Sequence, residues 1–237
     1  MWLEPLDFSR RAQLSEWMDE PCDYSTFRDC LLDLEKLNRT VGAYHATERW
    51  LQQFVGSGSA PLHIVDVGCG GGGLLRRLEL WGQSRGLQLT LTGIDLNPFA
   101  AQAAREFTEG DSSIEFLTGD AFSYQPPSPI DLVISSLFTH HLGDEEVVRF
   151  LMWMEKVSGK GWFINDLHRR RLPYYGFKLL AWSRQWHSFV RHDGPVSFRR
   201  SFLKKDWVRF IPDAGLEVKN VKMDAGQLGR LCVSRLK

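Results

Sequence analysis

At 237 residues the chain is long enough for one generous domain or a domain with an appended lid. Lysine plus arginine balance aspartate plus glutamate at 29 each, so no global field draws the chain to nucleic acid or anionic lipid. Cys22, Cys30, Cys69 and Cys232 lack Cys-x-x-Cys spacing, no apolar run approaches the ~20 residues of a bilayer span, and Glu4 and Asp7 stand where a secretory leader carries positive charge. A disulfide framework, a zinc cluster, an integral membrane segment and secretion are thereby disfavoured, and a cytoplasmic location is expected.

Residues 9–54 carry apolar positions at helical spacing, with Leu31, Leu34, Leu37 and Val41 as one set and Trp50, Leu51 and Phe54 as another. The region is rich in acids and predicts a helical cap over residues 1–58. Gly56-Ser57-Gly58-Ser59-Ala60-Pro61 reads as the loop that separates it from the main domain, residues 59–237. Strand one is expected at Leu62–Val67, a β-branched buried run leading straight into Gly68-Cys69-Gly70-Gly71-Gly72-Gly73, with a helix from about Gly73 to Ser84. Strand two is expected at Leu89–Ile94 and a helix after Pro98. Strand three is placed at Ile114–Leu117, strand four at Asp131–Ser135, a helix at Asp144–Val157 and strand five at Trp162–Asn165. Alternation at this spacing predicts a doubly wound parallel sheet.

The end of the chain departs from that alternation. A helix over Lys204–Asp213 stops at Ala214-Gly215, and two strands follow without a helix between them, about Leu216–Met223 and Leu228–Ser234. They predict an antiparallel hairpin. Residues 167–202 are rich in arginine and aromatics with Asp193 their only acid, and read as an insert for substrate recognition.

A glycine-rich turn between a buried strand and a helix lets a ligand approach bare backbone, beside free N–H groups and the positive end of a helix dipole. Asp95 closes strand two, where a carboxylate can accept from both hydroxyls of a ribose; the competing reading is a turn aspartate before Asn97-Pro98. Asp120, in Thr118-Gly119-Asp120-Ala121, closes the next unit. Gly68-x-Gly70-x-x-Gly73 also fits the dinucleotide fingerprint, so an NAD-dependent oxidoreductase remains open at this point.

Asp66-x-Gly68-x-Gly70-x-Gly72, Gly93-Ile94-Asp95, Thr118-Gly119-Asp120-Ala121 and the run from Asp131 to Leu142 together resemble the class I S-adenosylmethionine-dependent methyltransferases, of the small-molecule, quinone-biosynthesis-like type. The resemblance covers about residues 62–166 and, less closely, the final helix and hairpin. It implies a Rossmann-like seven-stranded sheet, mainly parallel with a C-terminal antiparallel hairpin. It further implies S-adenosyl-L-methionine as cofactor, with Asp66 ordering the loop near the methionine amino group, Asp95 on the ribose, and Asp120 with the Ala121 N–H on the adenine. Gly68, Cys69, Gly70, Leu96, Asn97 and Ser136 complete the implied cofactor set, and no metal is implied. No Asn-Pro-Pro-Tyr or Asp-Pro-Pro-Tyr sequence follows strand four, which argues against methylation of nucleic-acid or protein amides and amines.

The expected reaction is methyl transfer to a small aromatic or lipid-like acceptor, at oxygen before carbon. If the acceptor is a phenol, a base adds rate, and His140 or His141 after strand four is suited to it. Asp166 and His168, at the end of strand five, are rivals. Arg169, Arg170 and Arg171 offer either an anion site or a solvated loop paired with the acidic cap. Trp182, Trp186, Phe189, Phe198 and Phe202 either wall a pocket or form the packing face of a helix over about 174–190. Basic plus aromatic composition can also serve RNA or a membrane surface, which the neutral whole and the acidic cap disfavour. A non-catalytic cofactor-binding module is the remaining alternative, and oligomeric state is not legible.

Overall fold

The computed structural model describes residues 6–55, 61–226 and 229–237. The glycine-serine loop over 56–60 and Leu228 lie outside the described residues. The chain forms α1 (Tyr24–Thr40), α2 (His45–Leu51), β1 (Leu62–Val67), α3 (Gly73–Gln83), β2 (Leu89–Asp95), α4 (Pro98–Glu106), β3 (Glu115–Thr118), β4 (Ile130–Ser136), α5 (Asp144–Val157), β5 (Ser158–Leu167), α6 (Arg171–Ser183), α7 (Ser188–Arg200), α8 (Lys204–Asp213), β6 (Lys222–Ala225) and β7 (Arg230–Leu236).

One seven-stranded sheet runs in the order β3-β2-β1-β4-β5-β7-β6. The first five strands in this order pair in parallel, whereas β7 is antiparallel to both β5 and β6. This is the seven-stranded methyltransferase-type sheet that the sequence predicts, not the all-parallel one. β1 is buried along its whole length, as a central parallel strand covered on both faces must be. Helices cover both faces. Leu75, Leu78, Trp81 and Ala101 pack on one side, and Phe150, Trp162, Trp207 and Phe210 on the other. The strand order reverses between β1 and β4, so the carboxyl ends of these two strands frame the crevice where doubly wound sheets bind ligands.

Several elements differ from the sequence expectation. Residues 9–16 and 20–23 are not helical, and among the described residues only a short 3₁₀ turn at Trp17–Asp19 precedes α1. This segment runs along α7, with the Ala12 N–H donating to Arg199 and the Trp17 and Met18 N–H groups donating to the Asp193 carboxylate. The helix expected over 174–190 is two helices. Gln185 takes a left-handed φ of 49° that ends α6, and Asp33 receives the His187 N–H at 2.8 Å. The strand expected from Leu216 is a 3₁₀ turn at Val218–Asn220 followed by the short β6. β5 is longer than expected, extending back to Ser158 through Gly159 and Gly161, with a register shift against β4.

Candidate active site

The crevice begins with the turn after β1. Gly68, Gly70 and Gly72 hold φ of 73°, 51° and 75°, conformations that disfavour L side chains. A Cβ on Gly68 would stand 2.6 Å from the Phe138 ring. The glycine turn and the segment after β4 are thus interlocked, and only a bare backbone lets them meet. That second segment is itself held unusually, since Leu137 has a left-handed φ of 57° while its N–H donates to Asn165. Leu31 of α1 lies over Gly70 and Gly71, and α1 also packs against α4 through Phe27, Leu31, Ala100 and Ala103.

Two carboxylates stand under the turn, at the ends of neighbouring strands. Asp95 accepts from the Gly70 N–H and the Asn97 N–H, each at 2.9 Å. Burial raises its pKa against the pull of those two donors. Asp66 is fully enclosed, and burial followed by repulsion from Asp95 pushes its pKa well above the ordinary carboxyl value. Its Oδ1 is buried with no hydrogen-bond partner. Two acids in this position, one with an unpartnered oxygen, suit a ligand that brings hydroxyl donors or positive charge. Asn97 caps α4 by accepting from Phe99, and Asp120 accepts from the Phe122 N–H at 2.9 Å in an exposed turn, beside buried Ala121. Cys69 is buried, Leu96 is exposed and Ser136 closes β4 half-buried.

A second cluster stands at the ends of β4 and β5. The buried Asp166 carboxylate accepts from the Thr139 hydroxyl, the His140 N–H (2.9 Å), the Leu167 N–H (2.7 Å) and the ring of His140, whose Nδ1 lies 2.7 Å away. Burial opposes its charge, but His140 and these donors outweigh burial and hold Asp166 below the usual carboxylate range. An ionised carboxylate only accepts, so Nδ1 of His140 carries hydrogen and Nε2 is left free. That Nε2 faces Glu16 Oε1 at 3.6 Å, and Nε2 of His141 faces Glu16 Oε2 at 3.7 Å. Nδ1 of His141 lies 3.1 Å from Asp19. The two imidazoles are neighbours, with ring centres 4.4 Å apart. Burial raises the pKa of Glu16, opposed by His141, a hydrogen bond from Ser197 and Arg200. Arg200 also pairs with Asp19 at 2.7 Å. His141 also weakly favours the ionised form of Asp95, against the burial that raises its pKa.

A methyltransferase-domain family model matches residues 64–161. The ubiquinone biosynthesis O-methyltransferase of Pseudomonas savastanoi pv. phaseolicola is 28% identical over 177 residues, covering 73% of this chain and 71% of that protein. The trans-aconitate 2-methyltransferase of Streptomyces coelicolor is 27% identical over 157 residues, covering 60% of this chain and only 48% of that protein, about half its length. Magnesium protoporphyrin IX methyltransferase from Synechocystis PCC 6803, crystallised with S-adenosylhomocysteine, superposes with a TM-score of 0.56 at 15% identity, covering 92% of this chain and 90% of that one. Residues 64–161 form a methyltransferase domain, and these likenesses support a class I S-adenosylmethionine-dependent methyltransferase. S-adenosylmethionine is the cofactor of this family, and the unpartnered Asp66 oxygen with the adjoining Asp95 gives the methyltransferase a donor-hungry floor that fits it.

Of the residues singled out from sequence, those of the glycine turn, Asp66 and Asp95 come together at one end of the sheet, and His140 joins Asp166 and His141 beside them. Asp166 is a partner of His140 and not its rival, since both its oxygens are engaged. His168 is buried and is pushed down to about 4 by burial and then by Arg170 and Arg169, which makes it a poor proton acceptor near neutral pH. Arg169 is neither an anion site nor a solvated loop. It is 2% exposed, pairs with Asp206 at 3.0 Å and donates to the Phe8 and Ser201 carbonyls. The five aromatics also divide: Phe198 and Phe202 are buried, Trp186 and Phe189 are half-buried, and Trp182 is exposed.

Glu16 and Asp19 of the methyltransferase were missed. They precede every regular helix and share no motif with the histidines they face. An acid-rich N-terminal segment and a base-rich insert are the one available signal, and the Arg200–Asp19 pair realises it.

Proposed function

We propose that this methyltransferase transfers a methyl group to the oxygen of a small aromatic or lipid-like acceptor in the cytoplasm, with His140 as the base. The observation that carries the reading is the Asp166–His140 pair at the lip of the switch point. Its geometry leaves the second imidazole nitrogen, buried and 3.6 Å from Glu16, outside the pair. S-adenosylmethionine supplies a methyl group already activated on a sulfonium, so the protein's part is positioning, exclusion of water and handling of one proton.

In this reading Asp95 accepts from the ribose hydroxyls and Asp66 lies under the methionine end. Asp120 and the Ala121 N–H meet the adenine edge, and Gly68, Cys69, Gly70, Leu96, Asn97 and Ser136 shape the walls. His140 Nε2 takes the acceptor proton. Asp166 holds the ring in the required tautomer and stabilises the imidazolium that forms. Glu16, facing Nε2, offers the proton a second acceptor, and His141 with Asp19 holds Glu16 in place. The described part of the N-terminal segment, residues 6–55, and the insert over 167–202 together form the cover of the acceptor site, as their mutual contacts support.

The test is a methyl-transfer screen of phenols, quinol precursors and fatty or polyketide acids, run with the native protein and with His140→Ala, alongside calorimetric titration with S-adenosylhomocysteine and NADH. Turnover lowered about 10²-fold or more with cofactor affinity retained is expected for His140→Ala. Carbon methylation of a quinol-type precursor is the second reading. It keeps the same cofactor contacts, and acceptors blocked at oxygen but still methylated would select it. Tight NADH binding without S-adenosylhomocysteine binding would move the chain to the oxidoreductases. Cofactor binding with no transfer to any acceptor would leave it a binding module.

A further inference from the structure

Helix α6 turns an apolar face to solvent. Leu172, Tyr175, Leu179 and Trp182 are 85%, 54%, 67% and 72% exposed. At ~100° per residue they fall within an arc of about 80°, a continuous stripe along the helix. The opposite side of α6 is anchored by buried Tyr174 and Ala181, so the exposure is not an unpacked helix. Exposed Arg171 and Lys178 border the stripe, and exposed Arg191 stands at the cleft beside it. Asp193, the only carboxylate between 167 and 202, is buried under Trp17 and Met18, so this segment itself presents no exposed acid. Beside the stripe lies a cleft of about 370 Å³ walled by Trp17, Ala181, Trp182 and His192, with Lys178 and Arg191 at its edge. Trp17 stacks on His192 at 3.9 Å and is the chain neighbour of Glu16.

We propose that α6 docks on an anionic bilayer surface, lying in the interface with its apolar stripe among the acyl chains and its cations on the headgroups. An apolar stripe of leucines and aromatics bordered by cations is the composition that partitions to such an interface. A second copy of the chain fits the face less well. Stacking two stripes brings Arg171, Lys178 and Arg191 of both copies together, and like charges at an apolar contact repel. The neutral whole chain does not oppose docking, since attraction within a Debye length is governed by the local rim and not by the net charge. The docked orientation sets the Trp17 cleft, one residue from Glu16, against the membrane. That part rests on the reading of a lipid-like acceptor under the proposed function; docking itself does not.

The experiment is sedimentation of the full chain with vesicles of phosphatidylcholine alone and of phosphatidylcholine with phosphatidylglycerol, at low and high salt, for the native protein and for Leu172→Glu/Leu179→Glu. Both leucines are largely exposed, so the variant keeps its fold and its affinity for S-adenosylhomocysteine. Binding to the anionic vesicles that weakens with salt, and that falls about tenfold or more in the variant, supports the proposal. No binding by the native protein, or equal binding by the variant, overturns it. So does a native dimer that the variant converts to monomer without any vesicle binding. Vesicle binding requires neither cofactor nor acceptor, so loss of the methyl-transfer reading leaves this result standing.

Discussion

Nδ1 of His140 lies 2.7 Å from Oδ1 of Asp166, and the other Asp166 oxygen takes the His140 backbone N–H. One carboxylate therefore fixes the ring, the tautomer and the main chain of the same residue. If His140 is the base, His140→Ala loses turnover by about 10²-fold or more while S-adenosylhomocysteine affinity holds. Asp166→Asn keeps the fold's shape but can donate to Nδ1 and so stabilise the wrong tautomer. Its turnover falls by about 10²-fold or more with S-adenosylhomocysteine affinity unchanged. Turnover of the three proteins at saturating cofactor, beside their S-adenosylhomocysteine affinities, decides it; a variant that keeps the native rate returns the role to His141.

The same carboxylate makes a prediction for acid stability. Asp166 is held below its unfolded value of about 3.9, so its contribution is complete at neutral pH and is lost as pH falls from about 5 toward the depressed folded value. Urea denaturation across that range should show the native protein losing stability more steeply than Asp166→Asn. Parallel slopes would remove the assignment.

Asp95→Ala removes a charged acceptor placed for two hydroxyls. At about 1.5–3 kcal/mol per such bond, affinity for S-adenosylhomocysteine falls at least about tenfold. The Gly70 and Asn97 N–H groups lose their partner as well. Asp95→Asn, which still offers one oxygen, should therefore melt closer to the native protein while binding weakly. Unchanged affinity in a folded Asp95→Ala would sink the ribose role.

The glycines of the turn are not equivalent. At Gly70 an added Cβ meets only Leu31, at 3.6 Å, so alanine there meets backbone strain alone, about 1–2 kcal/mol. At Gly68 the same strain is joined by a 2.6 Å approach to Phe138. Gly68→Ala should melt well below Gly70→Ala, by calorimetry, and both should bind S-adenosylhomocysteine more weakly. Equal melting temperatures would show that Phe138 moves aside freely.

Arg169→Met leaves Asp206 and two carbonyls without their buried cation. Breaking a buried pair from one side costs about 3–5 kcal/mol. A stability loss of that order by urea titration, without a selective effect on any anionic acceptor, is the expected result; a variant as stable as the native protein would reopen the anion-site reading.

The sheet and its ligand end were legible because they are written locally. Ile64-Val65-Asp66-Val67 before the glycines, Asp95 before Pro98 and the paired strands at the end each declare themselves within a dozen residues. What was not legible depends on contacts distant in the chain. Nothing near Gln185 breaks a helix by composition; the break follows from Asp33, more than a hundred residues earlier, capturing the His187 N–H. Arg169 looks like a surface cation beside Arg170 and Arg171 until Phe8, Ser201 and Asp206 are seen around it. Glu16 carries no motif at all, and only the fold sets it against His140.

That last contact has a temporal meaning for synthesis. Glu16 is held by Ser197 and Arg200, so the acid waits for nearly the whole chain before its buried charge has partners. Asp66, Asp95 and the Gly70 N–H that Asp95 accepts are in place once β2 has paired with β1 and β4 has brought Phe138 against the glycine turn. Under the proposed roles, a ribosome-bound or truncated chain that ends before α7 would therefore hold Asp66 and Asp95 at its strand ends before Glu16 has its partners beside His140.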